Sequence, residues 1–163
     1  MTDFGALLRA LTDADVEFIV IGGVAAAAHG SARLTADLDV SYERGAANLG
    51  RLVHALAPHE PYLRGAPPGL PFEWSVRTLE AGLNFTLITR LGPIDLLGEI
   101  VYGGGYRDLL HHSSRVRAFD RDFLVLDLFW LIRVKRAAGR PKDLEVIAEL
   151  EALREESEER DAE

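Results

Sequence analysis

Apolar residues recur along this chain with two periods, and the switches between them mark out its elements. Phe4, Leu7, Leu8 and Leu11 fall at i, i+3, i+4 and i+7. That stripe predicts an amphipathic helix over residues 3–13, with Thr2 as its N-cap and Asp13-Ala14-Asp15 as its end. Val16 to Ile21 is a β-branched and aromatic run, the pattern of a buried strand leading into Gly22-Gly23. Ala25 to Ala28 predict a short helix packed close against a sheet and left through His29-Gly30-Ser31. From Asp37 to Tyr42 the pattern alternates, with Leu38 and Val40 on the core side and Asp37, Asp39 and Ser41 on the other. Leu49, Leu52, Val53 and Leu56 then restore the helical stripe over about residues 45–57.

Pro58 to Pro71 holds five of the seven prolines together with Gly65 and Gly69, which predicts a long irregular loop of the kind used as a lid or binding loop. Leu83 to Leu91, with Leu83, Phe85 and Leu87 on one face, and Pro93 to Leu97 predict neighbouring strands joined across Gly92. Residues 115–119 and 122–126 read as a hairpin turning at Asp120-Arg121. Two helices follow, Asp127 to Ala138 ended by Gly139 and Pro141 to Glu156, with a frayed glutamate-rich end. Strands interleaved with helices give an α/β (α+β) class: a mixed twisted sheet flanked by helices. The expected organisation is a core over residues 1–126, a C-terminal helical pair over 127–156 packed on it, and an acidic tail over 157–163.

Composition narrows the chemistry. With 163 residues, 48% of them hydrophobic, the chain suits one domain with a proper core. It contains no cysteine, so any metal would be held by carboxylate or imidazole, which favours magnesium or manganese. No apolar run approaches a membrane span, and Met1-Thr2-Asp3-Phe4 lacks the basic start of a secretory signal, so a soluble cytoplasmic protein is expected. The net charge of −8 is uneven: residues 151–163 hold seven acids against two arginines, leaving −3 for residues 1–150. That balance argues against a broad grip on nucleic-acid phosphates but leaves room for a local basic patch.

Asp37 and Asp39 stand at i and i+2 of an extended segment, so they share a face with Cα atoms roughly 6.5–7 Å apart. That spacing suits a shared divalent cation. Aspartate is depleted in strands, and on an open strand face the pair could also simply be solvated. The glycine pair Gly22-Gly23 at a strand-to-helix junction exposes backbone N–H groups that favour phosphate, and the 13 residues between Gly23 and Asp37 suffice for a short helix to return the chain to the same edge. Asp95, alone among the apolar residues Pro93 to Leu97, is a third strand carboxylate. Taken alone it reads equally as a turn-side cap. Three converging carboxylates fit two-metal phosphoryl transfer, two of them holding the ion that neutralises a triphosphate and the third lying near an incoming hydroxyl.

These residues resemble the nucleotidyltransferase superfamily related to DNA polymerase beta. The matching positions are Ile21-Gly22-Gly23, Asp37-Leu38-Asp39 and Ile94-Asp95-Leu96. Arg33, four residues before Asp37, also resembles the arginine that precedes the aspartate pair in tRNA CCA-adding enzymes, although Gly30 is displaced from it. Over roughly residues 15–150 the chain is similar to small bacterial nucleotidyltransferase-like proteins of the toxin–antitoxin type, which share Arg-x-Thr-x-Asp-x-Asp, here Arg33 to Asp39, and Lys-x4-Arg-Pro-Lys-Asp, here Lys135 to Asp143. The resemblance implies a nucleotidyltransferase fold and transfer of a nucleoside monophosphate from a triphosphate such as ATP to a hydroxyl, with Mg2+ or Mn2+ on Asp37, Asp39 and Asp95. It also implies phosphate contacts from Gly22, Gly23, Arg33, Thr35 and Lys135. The acceptor could be tRNA or a protein, and a cognate toxin or antitoxin partner is implied as well. Gly23 stands where many members carry a phosphate-binding serine.

Other residues are more neutral. Leu128, Leu131, Ile132 and Lys135 share one helical stripe, which sends the Lys135 ammonium either toward a cleft or out to solvent. Arg140 and Lys142 flank Pro141 and suit phosphate binding or surface pairing equally. His29 reads as a hydrogen-bonded helix-end residue. His111-His112 lacks the spacing of a helical metal pair, and Gly103-Gly104-Gly105 reads as a flexible turn between tyrosines that could stack on a base. No Gly-Lys-Ser, Gly-Lys-Thr or Gly-x-Gly-x-x-Gly occurs, which removes P-loop and dinucleotide-binding readings. The polar residues before Asp37 argue against a haloacid dehalogenase nucleophile, and the chain is short for a glycosyltransferase. The rival class is a non-catalytic partner protein on the same fold, an antitoxin or nucleotide-binding module.

Overall fold

A computed structural model describes residues 1–163. Its elements are α1 (Phe4–Asp13), β1 (Phe18–Ile21), α2 (Gly22–Ala28), β2 (Leu38–Tyr42), α3 (Ala46–Leu56), β3 (Tyr62–Leu63), α4 (Val76–Ala81), β4 (Asn84–Thr89), β5 (Gly92–Leu97), α5 (Tyr106–Leu110), β6 (Ser113–Ala118), β7 (Arg121–Leu126), α6 (Leu128–Ala138) and α7 (Pro141–Ala162). The strands form one mixed sheet in the order β3-β4-β5-β2-β1-β7-β6. Two neighbour pairs are parallel, β2 with β5 and β1 with β7; the rest are antiparallel.

The central strands are apolar because helices cover them. All four residues of β1 are buried, while β4, at the flank, alternates, with Phe85, Leu87 and Thr89 inward. Leu7, Leu8 and Leu11 of α1 and Leu49, Leu52 and Leu56 of α3 join Val20, Leu38, Val40, Ile94 and Leu96 in one large core. A smaller cluster, Ala26, Ile132, Ile147 and Leu150, ties α2 to α6 and α7. Alanine in α2 permits that close packing of helix on sheet and helix on helix. No helix is long and apolar enough to cross a membrane.

Several expectations are corrected. The N-cap of α1 is Asp3, whose carboxylate accepts the Ala6 N–H at 2.9 Å, while the Thr2 hydroxyl donates to the Ala36 carbonyl. A carboxylate gains more than a hydroxyl at the positive end of a helix. α2 starts at Gly22 rather than Ala25, so the glycines form its first turn instead of preceding it. β2 begins at Leu38 and leaves Asp37 at its threshold. The proline-rich segment is not wholly irregular: a 3-10 turn over Ala57–His59 leads to β3, which pairs Tyr62 with Ile88 and Leu63 with Leu87. Leu83 lies outside β4 and is exposed, its carbonyl accepting from Tyr42 Oη at 2.7 Å.

The β6–β7 hairpin turns at Phe119-Asp120, one residue earlier than expected, and both residues have positive φ, 54° and 62°. This two-residue left-handed turn matches the strand twist. α4 and α5 went unpredicted because each is too short for a helical period and buries one leucine, Leu79 or Leu109. Gly105 is the N-cap of α5, so the triple glycine is a helix entrance. α7 continues through the expected tail to Ala162, helped by strong helix formers and by the Arg154–Glu158 pair one turn apart at 3.1 Å.

Candidate active site

Three neighbouring strands bring the sequence motifs together. Ile21, the last residue of β1, pairs with Asp39 of β2, and Asp39 pairs in turn with Asp95 of β5. A single register therefore lines up the glycine turn and two carboxylates. Asp37 lies two residues before Asp39 and on the same face, so that one carboxylate oxygen from each of the three acids lies within 4.8 Å of the others. A one-residue slip between β2 and β5 would turn Asp39 away and destroy the cluster.

The cluster is charged and partly dry. Burial pushes the Asp39 carboxyl up to about 7, the nearness of Asp95 and then the charge of Asp37 push the same way, and Lys135 opposes them. Oδ1 of Asp39 is buried and has no hydrogen-bond partner. Three hard oxygen donors converging around an unpartnered carboxylate oxygen match what Mg2+ or Mn2+ takes, and with no nitrogen or sulfur donor among them they do not suit softer ions.

Gly22 and Gly23 are both required by contact. Gly22 has φ +68°, and a Cβ there would overlap Oδ2 of Asp39. A Cβ on Gly23 would lie 2.6 Å from Oγ1 of Thr35. The space where a serine at position 23 would extend is thus filled by the Thr35 hydroxyl, which also donates to the Asp37 carbonyl at 3.3 Å. Thr35 thus supplies a hydroxyl beside Gly23, where a serine at position 23 would have carried one.

Two cavities open from the carboxylates. One, about 580 Å3, is polar and lined by Gly23, Arg33, Thr35, Asp37 and Asp39 together with Lys135, Arg140 and Lys142. The other, about 420 Å3, is mostly apolar, bounded by Ile21, Leu97, Ile100, Leu126, Leu131 and Val134. Asp39, Lys135, Arg140 and Asp143 border both. Lys135 extends from the inward stripe of α6 into this junction, with Nζ 3.8 Å from Asp143 Oδ1. Asp143, 2% exposed, also takes two hydrogen bonds from Arg140, at 2.6 and 3.2 Å. Burial alone would raise its carboxyl, but the Arg140 hydrogen bonds and the Arg140 and Lys135 charges outweigh it and hold the group below the usual range. Arg33 is bound to α7, through Glu149 at 2.9 Å and the Glu145 carbonyl at 3.1 Å, and presents its flank to the polar cavity. His29 is a helix-end residue, with Nε2 2.8 Å from the Leu126 carbonyl, and His112 stacks on Trp130 at 4.0 Å, away from the carboxylates.

Arg64 is the site residue that sequence reasoning missed. Its Nη2 donates to Asp95 Oδ1 at 2.8 Å and to the Leu87 carbonyl at 2.8 Å, and its Nη1 lies 3.4 Å from Asp37 Oδ2. The signal for it would have been the short apolar pair Tyr62-Leu63 within the proline-rich segment, since β3 is what anchors the arginine beside β4 and β5.

No family model matches this chain, and no curated protein matches it. Among solved structures, a crystal structure of a Thermotoga maritima protein provisionally named a nucleotidyltransferase superposes with a TM-score of 0.57 at 14% identity, covering 91% of this chain and 94% of that one. At that identity the likeness is one of architecture, and the chain has a nucleotidyltransferase-like fold: a mixed seven-stranded sheet flanked by helices, with the carboxylates on its central strands.

Proposed function

We propose that this protein is a metal-dependent nucleotidyltransferase that moves a nucleoside monophosphate from a nucleoside triphosphate to a hydroxyl acceptor and releases pyrophosphate. The observation that carries this reading is the register that pairs Asp39 with Asp95 and gathers three carboxylates around a buried, unpartnered oxygen. A structural cluster of three mutually repelling acids has no stabilising use of its own. Asp37 and Asp39 would hold a divalent ion facing the polar cavity, with Asp95 completing a second position. Bound there, Mg2+ or Mn2+ neutralises triphosphate charge and polarises the α-phosphate.

The residues divide the remaining work between the two cavities. Gly23 and Thr35 offer donors at one wall of the polar cavity, Gly22 borders the apolar one beside them, and Arg33, Lys135, Arg140 and Lys142 supply positive charge to the polar cavity, which suits a polyphosphate. The apolar cavity beyond Lys135 suits a nucleobase. Asp95 would serve the acceptor: the acceptor's hydroxyl oxygen bonds to the α-phosphorus, the bond from that phosphorus to the pyrophosphate oxygen breaks, and the hydroxyl proton passes to the Asp95 carboxylate. The acceptor class, RNA such as tRNA or a protein side chain, and a cognate toxin or antitoxin partner belong to the same proposal.

The test is incubation with each labelled nucleoside triphosphate, Mg2+ and either total RNA or cell lysate, with Asp37→Ala as control. Label transferred by the wild type and absent with Asp37→Ala is the expected result; transfer that persists in the variant overturns the assignment. Metal and nucleotide binding without any transfer would favour the non-catalytic nucleotide-binding reading.

A further inference from the structure

We propose that Arg64 is a tethered cation that holds the position between Asp37 and Asp95 and competes there with a divalent ion, so that the site takes up its second ion only when this guanidinium withdraws. The inference rests on the metal-binding reading above and adds to it the order in which the site fills.

The geometry is that of a straddle. One guanidinium reaches both carboxylates, at 2.8 Å to Asp95 and 3.4 Å to Asp37, and leaves Asp39 out. The cation is therefore off centre. The edge shared by Asp37 and Asp39 stays open to the polar cavity, whereas neither Asp95 nor Arg64 lines either cavity. A first ion has free access to Asp37 and Asp39. A second ion, shared with Asp95, would have to stand where the guanidinium stands, and two positive groups cannot occupy one carboxylate pair.

The hold of Arg64 is strong enough to organise the site and incomplete enough to be released. Its backbone N–H is fixed to the Thr86 carbonyl at 3.0 Å, so the arginine stays beside β4 whatever its side chain does. Nε is buried without a partner, which leaves one donor of the fork unsatisfied and weakens the docked state. Gly65, with φ +81°, follows directly, and the Arg64 side chain keeps 29% of its surface exposed, so it is not sealed into the site. Withdrawal needs only rotation of the arginine side chain, which gives up its bonds to Asp37, Asp95 and the Leu87 carbonyl while the backbone stays in place.

The experiment is titration of Mn2+ alone into the full chain, followed by isothermal calorimetry and by loss of the free-ion paramagnetic resonance signal, for wild type, Arg64→Gln and Arg64→Lys. Far-UV circular dichroism confirms that each variant is folded. The proposal expects one ion per wild-type chain, two for Arg64→Gln, and binding tighter by about tenfold or more in that variant, with Arg64→Lys between them because it keeps the charge but loses the fork. Equal affinity and stoichiometry in wild type and Arg64→Gln overturns the proposal, as does weaker binding in Arg64→Gln, which would make Arg64 a support for the ion. Absence of Mn2+ binding in all three overturns the metal reading itself, an outcome distinct from the first two.

Discussion

Between about pH 4 and pH 7 the folded chain keeps a proton on Asp39 that the unfolded chain has already released, because burial and two neighbouring carboxyls raise this group from 3.8 to about 7. The folded state binds more protons across that window, so the sign is fixed: stability in the absence of metal falls as pH rises through it. Asp39→Asn should flatten that slope, read from urea midpoints at the two ends of the window. Affinity for a divalent ion should run the other way and strengthen as pH rises toward 7, since the ion needs the carboxylate. A second expectation concerns the tight corner beside it. Gly23→Ser should weaken nucleotide binding and lower the melting temperature by overlapping Thr35, while the pair Gly23→Ser with Thr35→Gly recovers both. The residues of this corner differ in how legible they were. Asp95 announced itself as a lone acid in an apolar strand, and the aspartate pair by its spacing. Arg64 did not, because its partners lie 27 and 31 residues away and reach it only through sheet pairing.

Elements with a full apolar period were legible and short ones were not. α1 and α3 each bury a stripe of apolar residues and α6 carries one that is fully buried only at Leu131 and Ile132, and the sequence placed all three within a residue or two. β3, α4 and α5 have two to six residues and owe their existence to what they dock on, which no local pattern records. Two changes test the forces on elements. Asp120→Gly should raise stability by about 0.5–1 kcal/mol in thermal unfolding, because glycine adopts the positive φ of that turn without side-chain cost. Asp143→Ala should lower it by about 2 kcal/mol, since the removed carboxylate is buried and leaves Lys135 and Arg140 without their common partner at the α6–α7 junction. Its nucleotide affinity should fall as well, because Asp143 is what directs both cations to the cavity edge.

At the scale of the molecule, charge is segregated. The cavity rim gathers Arg33, Lys135, Arg140 and Lys142, while the last two turns of α7 carry acids and no buried residue beyond Leu150. Removing residues 155–163 should therefore change stability by no more than about 0.5 kcal/mol in urea unfolding, as expected for exposed residues without core contacts. The class of fold was legible because strand and helix periods alternate. The strand order was not: the sequence gives no sign that β5 inserts beside β2 or that β7 returns to β1.

That insertion has a consequence for when function appears. Asp39 and Asp95 are partners across a parallel pair but stand 56 positions apart in the chain. A growing or half-folded chain already contains Gly22, Gly23, Asp37 and Asp39, yet it lacks the third carboxylate until β5 has closed a long loop onto β2. Loop closure of that length is among the slow steps of folding. The complete three-carboxylate cluster therefore arrives late, and its presence certifies a finished sheet.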